Sequence, residues 1–164
     1  MNQNSELAIR EATESDIPSL LKLIRELAEY EKLTHILVAT EELYKEALFG
    51  ERPVAEALMA FYEGEPVGYA VFFHDFSTFL GRAGLYLEDI YVRPETRGKG
   101  VGKKLFATVA RIARDRNCGR YEWCVLKWNT PSIEFYDALG AESLDGWLMM
   151  RLDGDALAKV ADMA

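Results

Sequence analysis

The chain has 164 residues, of which 49% are hydrophobic and 28% charged, a composition typical of one globular domain. No apolar run approaches the ~20 residues that a membrane helix needs, and residues 1–13 lack the basic and then apolar pattern of a secretory signal. These features predict a single domain over residues 1–164, no membrane partner and a cytoplasmic location.

The net charge of -8 is unevenly distributed along the chain. Residues 1–96 hold 18 acidic and 8 basic side chains, whereas residues 97–120 hold 8 basic side chains and one acidic. A basic segment in an acidic protein favours a locally held anion, and the acidic remainder favours a cationic partner over nucleic acid. The alternative is that both segments are solubilising surface. Cys118 and Cys124 form no CxxC motif and lie far from His35 and His74, so we expect two half-buried thiols, no disulfide and no metal.

The hydrophobic periodicity predicts the elements in chain order. A strand at 7–12 leads through a capping-box pattern at Thr13–Asp16 into a helix whose apolar face is Ile17, Leu20, Leu21, Ile24 and Leu27. A second helix begins at Thr40. The elements that follow are predicted to be strands at 54–62 and 67–74 that form a hairpin, a strand at 84–93, a helix from Val101 to about Asn117, a strand at 120–126, a helix from about Pro131 to Leu139, a strand near 147–152 and a helix at 155–163. This order indicates a mixed sheet with helices on both faces.

The segment Arg97–Gly102, with the sequence RGKGVG, lies between a predicted strand and the apolar stripe of a predicted helix. Glycines let the backbone approach an anion closely, and the free N–H groups of a first helical turn point at such a ligand. Arg97, Lys99 and Lys103 add positive charge. The spacing matches neither a Walker loop nor a dinucleotide fingerprint, so we interpret the segment as a different kind of phosphate cradle. The alternative is a glycine-rich turn that only reverses the chain.

The cradle resembles the coenzyme A pyrophosphate loop of the GCN5-related N-acetyltransferase (GNAT) superfamily. Three further stretches are similar to the diamine (spermidine/spermine) acetyltransferases and the thialysine N-acetyltransferases: Ile24–Glu31, Tyr86–Val92 and Trp128–Tyr136. The resemblance implies the GNAT acyl-CoA N-acyltransferase fold, an α/β fold with a mixed, mostly antiparallel sheet, a splayed parallel strand pair and helices on both faces. It also implies an enzyme that transfers acetyl from acetyl-CoA directly to a primary amine of a small cationic substrate, such as a diamine, a polyamine or thialysine.

The resemblance assigns roles to particular residues. Tyr136 is implied as the general acid for the leaving thiolate, and Glu88 and Asp89 as groups that bind the cationic amine and accept its proton. Glu26 and Trp128 are implied to contact the substrate. The coenzyme A ligands are implied to be Ile90, Tyr91, Val92, Arg97, Gly98, Lys99, Gly100, Val101, Gly102, Lys103 and Asn129. Read without the resemblance, Tyr136 is a core aromatic and Asn129 is a helix N-cap. Glu88 and Asp89 interrupt an apolar strand, so a bulge could aim both into a site, and the alternative is that they end the strand in solvent.

The sequence leaves alternatives open for the substrate and the activity. Lys127 stands where the related diamine and thialysine enzymes have an acidic residue, and a cation there would repel a polyamine or pair with Glu88 or Asp89. The chain could instead acetylate a protein or peptide, or be a non-catalytic acyl-CoA-binding module. The diamine-type relatives imply a homodimer, for which Trp147, Leu148 and Met149 on the last predicted strand are the candidate contacts.

Overall fold

The computed structural model describes residues 7–164. Residues 1–6, part of the N-terminal segment predicted not to be a secretory signal, lie outside the described residues. The chain divides into two compact units, the first ending at Cys124 and the second running from Val125 to Ala164. In residues 7–164, no helix combines the length and the apolar character needed to cross a membrane.

The first unit is built on a five-stranded sheet with the order β1-β2-β3-β4-β5. Its strands are β1 Leu7–Glu11, β2 Glu56–Tyr62, β3 Glu65–Ser77, β4 Arg82–Val92 and β5 Tyr121–Trp123. All neighbouring strands pair antiparallel except β4 and β5, which are parallel. The predicted hairpin is confirmed as β2–β3, and the mixed sheet is confirmed. The strand predicted at 120–126 is shorter than expected, because only three residues pair with β4.

Three helices cover this sheet: α1 Ile17–Tyr30, α2 Glu41–Phe49 and α3 Val101–Asp115. Tyr69 and Val71 of β3 lie in one buried cluster with residues of α1 and α2. The neighbouring Gly68 faces the other way, since a Cβ there would lie 3.4 Å from a methyl group of Leu105 in α3. Helices α1 and α2 therefore lie on one face of the sheet, and α3 lies on the opposite face.

The start of α1 follows the sequence closely. Thr13 and Asp16 form the predicted capping box, which closes a short 3-10 turn directly before the helix. The apolar stripe differs in one position, because Leu23 is fully buried whereas Leu21 is only half-buried. Thr40 caps α2, since its hydroxyl accepts a hydrogen bond from the backbone N–H of Leu43.

The second unit contains two helices, α4 Thr130–Asp137 and α5 Gly154–Ala161. The strand predicted near 147–152 is wrong, because residues 147–153 form neither helix nor strand. A strand is stable only where a neighbour takes its backbone hydrogen bonds, and no strand pairs with this segment in the described part of the chain. Trp147 and Leu148 are 77% and 85% exposed.

Candidate active site

A bulge in β4 sets the position of the two predicted acidic residues. Val71 of β3 pairs with Asp89, but the next residue, Phe72, pairs with Leu87, so Glu88 is an extra residue without an opposite partner. A bulge of this kind changes the direction of nearby side chains. Asp89 therefore points to the α1 and α2 side of the sheet, as does Val71, whereas Glu88 is exposed.

Asp89 is a largely buried carboxyl group without a cation beside it. Burial, together with the negative charges of Glu88 and Glu31, raises the pKa of Asp89 to about 6, and burial is the largest of these causes. Burial also raises the pKa of Glu31. Within residues 7–164, no ion pair reaches Glu31, Glu88 or Asp89. We call these three residues the carboxylate cluster.

Glu26, predicted to contact the substrate, is paired with a neighbouring cation. Arg93 donates three hydrogen bonds to the Glu26 carboxylate, from Nε to Oε2 at 3.0 Å and to Oε1 at 3.2 Å, and from Nη2 to Oε1 at 2.8 Å. Its charge is thus compensated within the fold, and its role in substrate binding stays a prediction. Glu31, five residues further along the chain, is the residue of this segment whose charge acts on Asp89, in addition to Glu88.

The predicted phosphate cradle has the backbone geometry that an anion needs. Gly98 and Gly100 have φ of +78° and +79°, the left-handed region that favours glycine, and a Cβ at either position would meet no atom within 4 Å. Gly100 is the N-cap of α3. The N–H groups of Val101, Gly102 and Lys103 follow it in the first turn of a 15-residue helix. The cradle is therefore open, and a pyrophosphate group fits it.

The side chains around the cradle have unequal freedom to bind an anion. Val101 is buried, so it offers only its backbone N–H, whereas Lys103 is exposed. Lys99 lies over the ring of Tyr62, with its Nζ 3.9 Å from the ring centre. Arg97 donates from Nε to the carbonyl oxygen of Val92 at 3.2 Å, which ties the cradle to the end of β4.

The end of β4 has one free edge. The parallel pairing with β5 covers only Leu85–Leu87, although β4 continues to Val92. Ile90, Tyr91 and Val92 pair with β3 on their other side. The backbone groups of these last residues that point away from β3 have no β5 residue opposite them, although the Val92 carbonyl oxygen accepts a hydrogen bond from Arg97. This separation of a parallel pair produces a crevice at the edge of the sheet.

The second unit contains three residues with predicted roles, Trp128, Asn129 and Tyr136. Trp128 is 54% exposed. Asn129 is the N-cap of α4, where its carbonyl oxygen accepts from the N–H of Ser132 and Ile133, although its side chain makes no capping hydrogen bond. Tyr136 is 9% exposed, and burial raises the pKa of its phenol. A phenol with a raised pKa keeps its proton at neutral pH, as a general acid must.

The two cysteines differ from expectation in one respect. Cys118 is half-buried as predicted, but Cys124 is exposed, because it lies just beyond the last paired residue of β5. The hydroxyl of Tyr86 donates to its Sγ at 3.1 Å. No group of three metal-binding side chains occurs among residues 7–164.

Comparison with known proteins identifies the family. The model of the acetyltransferase (GNAT) family matches residues 19–141. The chain belongs to the GNAT family. Its members generally use acetyl-CoA, and the chain is therefore an N-acetyltransferase rather than a non-catalytic module.

Individual relatives of this GNAT enzyme cover nearly its whole length. It is 45% identical to the thialysine N-epsilon-acetyltransferase of Bos taurus, over 93% of this chain and 96% of the relative. It is 32% identical to the L-ornithine N5-acetyltransferase NATA1 of Arabidopsis thaliana, over 93% and 86% of the two chains. An integron cassette protein of V. cholerae has a similar structure, with a TM-score of 0.81, 25% identity and coverage of 96% and 99%.

Proposed function

We propose that this GNAT enzyme transfers acetyl from acetyl-CoA to a primary amine of a small cationic substrate, a diamine, a polyamine or a thialysine-like amino acid. The carboxylate cluster is the observation that supports this most directly. Burying the Asp89 and Glu31 carboxylates without a cation is costly, and a bound ammonium group would compensate them. Two relatives are named for thialysine and for ornithine, both amino acids with a side-chain amine.

The amine has to lose a proton before it can attack a thioester, because only the neutral form has a free electron pair. Asp89, with its pKa raised to about 6, suits this task, since a base is most effective when its pKa lies near the working pH. In this proposal the proton passes from the substrate ammonium to the Asp89 carboxylate, directly or through water, and leaves a neutral amine. The exposed Glu88 adds negative charge at the same bulge.

Acetyl-CoA would be held by residues of the cradle and of β4. The N–H groups at the start of α3 would bind its pyrophosphate, with Arg97, Gly98, Lys99, Gly100, Gly102 and Lys103 around it. The free edge at Ile90, Tyr91 and Val92 would hydrogen-bond the chain that ends in the thiol. When bound, acetyl-CoA supplies the activated acetyl group. Asn129 is proposed as a further ligand, and Trp128 as a contact of the substrate.

Tyr136 is proposed as the general acid. Its phenol has a reference pKa near ~10, comparable with that of an alkyl thiol, so it can give its proton to a departing thiolate in contact with it. Burial raises the pKa of Tyr136, which keeps this proton in place at neutral pH.

A homodimer and a cytoplasmic location complete the proposal. Exposed apolar side chains in the second unit support the dimer, since Trp147, Leu148 and Met149 are 77%, 85% and 68% exposed. A segment with this composition favours burial against another surface. The location in the cytoplasm rests on the sequence alone.

The experiment follows the release of free thiol from acetyl-CoA with a panel of amines: spermidine, putrescine, thialysine, ornithine, lysine and a lysine-containing peptide. We expect turnover with at least one small diamine or amino acid, and little with the peptide. The Asp89→Asn variant should lose about 100-fold in turnover, the range expected for a general base, whereas Glu29→Gln, an exposed neutralisation on α1, should not. Efficient turnover of the peptide alone would contradict the proposal.

A further inference from the structure

Tyr69 has a buried hydroxyl group that no protein atom satisfies. Its side chain is 0% exposed, and its hydroxyl oxygen has no hydrogen-bond partner. A buried polar group without a partner is costly, and such groups are rare in native structures. The hydroxyl is therefore a place at which a bound molecule could supply the missing hydrogen bond.

The sheet register brings Tyr69 close to the carboxylate cluster. Tyr69 pairs with Tyr91, and Val71 pairs with Asp89, so Asp89 is a diagonal neighbour of Tyr69 on the same face. The pKa of Tyr69 is raised by burial first and then by electrostatic interactions with Asp89, Tyr44, Glu31 and Tyr91. These groups come from β4, from α2 and from the residue after α1, which are the elements packed against this face.

We propose that Tyr69, Asp89 and Glu31 together bind one primary ammonium group of the substrate, with the Tyr69 oxygen as the third acceptor. An ammonium group has three N–H donors and no acceptor, and this arrangement offers two carboxylates and one hydroxyl oxygen. The inference rests on the proposed function and extends it. It assigns substrate-binding roles to Tyr69 and Glu31. In this arrangement the protein recognises the number of N–H donors of the ammonium group as well as its charge.

The charge of the surroundings favours a cation over an anion or a neutral ligand. Glu88 adds a third carboxylate at the adjacent bulge. The guanidinium of Arg93, the residue directly after β4, is bound to Glu26. A primary ammonium would satisfy the Tyr69 oxygen and compensate the carboxylates at once. A dimethylated amine has the same charge but one N–H donor, so it should bind less tightly.

The test measures binding by titration calorimetry with coenzyme A present, using thialysine, its Nε,Nε-dimethyl form and spermidine. Binding of thialysine or spermidine should weaken by about 10- to 100-fold in Tyr69→Phe, the range for one hydrogen bond to a charged group. Glu31→Gln should weaken it at least as much. Dimethyl-thialysine should bind the natural protein less tightly than thialysine, and it should lose less affinity in Tyr69→Phe. Comparing thialysine with spermidine shows whether the bound ammonium group belongs to an amino acid or to a polyamine.

Two matched controls keep this test specific. Tyr121→Phe removes a phenol from β5 on the other face of the sheet, where its ring contacts Phe106 of α3, and Glu29→Gln neutralises an exposed carboxylate on α1. Neither should change the affinity for amines. If Tyr69→Phe binds amines as tightly as the natural protein and its thermal midpoint rises, the hydroxyl is only an unsatisfied core group and the inference is wrong. Thiol release by the natural protein tests the proposed function separately, because turnover can persist while Tyr69→Phe has no effect on binding.

Discussion

Replacing Asp89 with asparagine should make the folded protein more stable while it removes activity. The substitution keeps the size of the side chain and removes a charge that the fold leaves uncompensated. Another buried aspartate shows what compensation does: Asp16 is 8% exposed, but hydrogen bonds from Arg10 hold its pKa well below the usual range. Burial instead raises the pKa of Asp89, so the charged form of Asp89 destabilises the folded state.

The magnitude follows from the difference in pKa between the two states. The ordinary pKa of an aspartate is 3.8, and the folded protein raises that of Asp89 to about 6. About two pKa units at ~1.4 kcal/mol each give a cost of ~3 kcal/mol for keeping Asp89 charged. The buried amide of asparagine also has to be desolvated, so we expect a net gain between about 1 and about 3 kcal/mol. For a chain of this length, that is roughly 3 to 10 °C in thermal midpoint.

The pH dependence identifies the cause. The folded state binds the proton of Asp89 more tightly than the unfolded state does, so the stability of the natural protein should fall as pH rises from 3.8 to about 6 and then level off. Asp89→Asn should lack this fall. The difference in the free energy of unfolding between the two proteins should therefore reach its largest value at pH 7 and be small at pH 4.

The assay is urea unfolding followed by tryptophan fluorescence and circular dichroism, on the natural protein, Asp89→Asn and Glu29→Gln. The exposed Glu29 should change stability by less than about 0.5 kcal/mol at any pH. An Asp89→Asn variant that is less stable than the natural protein at pH 7 would refute the reasoning, since the carboxylate would then be stabilised by a partner in the folded state.

Three other predictions concern different parts of the molecule. Tyr136→Phe should lower turnover by about 100-fold while acetyl-CoA affinity stays unchanged, as steady-state kinetics and calorimetry can show. Gly100→Val should weaken coenzyme A binding in calorimetry, because a side chain would occupy the cradle, whereas Gly64→Val, also at positive φ but in the β2–β3 turn, should not. Light scattering at micromolar concentration should give the mass of a dimer, and Trp147→Glu should give that of a monomer, because a charge in an apolar contact is costly. A monomeric natural protein would contradict the last of these.

The sequence predicted the elements whose signals are local. The cradle is one case, because glycines, basic residues and the start of an apolar stripe all lie within residues 97–105. The β2–β3 hairpin is another, since its turn residues and its two apolar runs are adjacent in sequence. Thr13 and Asp16 form their capping box from contacts three residues apart. In each case the residues that determine the structure are close neighbours in the chain.

Features that depend on distant partners were not predictable in the same way. The apolar run at 147–152 has the composition of a strand, but pairing depends on a neighbour that sequence periodicity does not specify. The ion pair of Glu26 was not foreseen, because its partner Arg93 is 67 residues away in sequence. Two charges that interrupt an apolar strand suggested a bulge at Glu88 and Asp89, but only the register of β3 against β4 shows that Glu88 is the extra residue.

Several carboxylates in the first unit are paired with an arginine, whereas Asp89 is not. Arg10 pairs with Asp16, six residues along the chain, whereas Arg116 and Arg120 pair with the distant Glu56 and Asp75. The fold thus has arginines available for its structural carboxylates, yet it leaves Asp89 unpaired at a cost of ~3 kcal/mol. A cost of that size is difficult to explain by packing, because an apolar residue at the same position would avoid it. In the proposed site the substrate amine supplies the missing cation, and an internal arginine would compete with that amine for the same carboxylate.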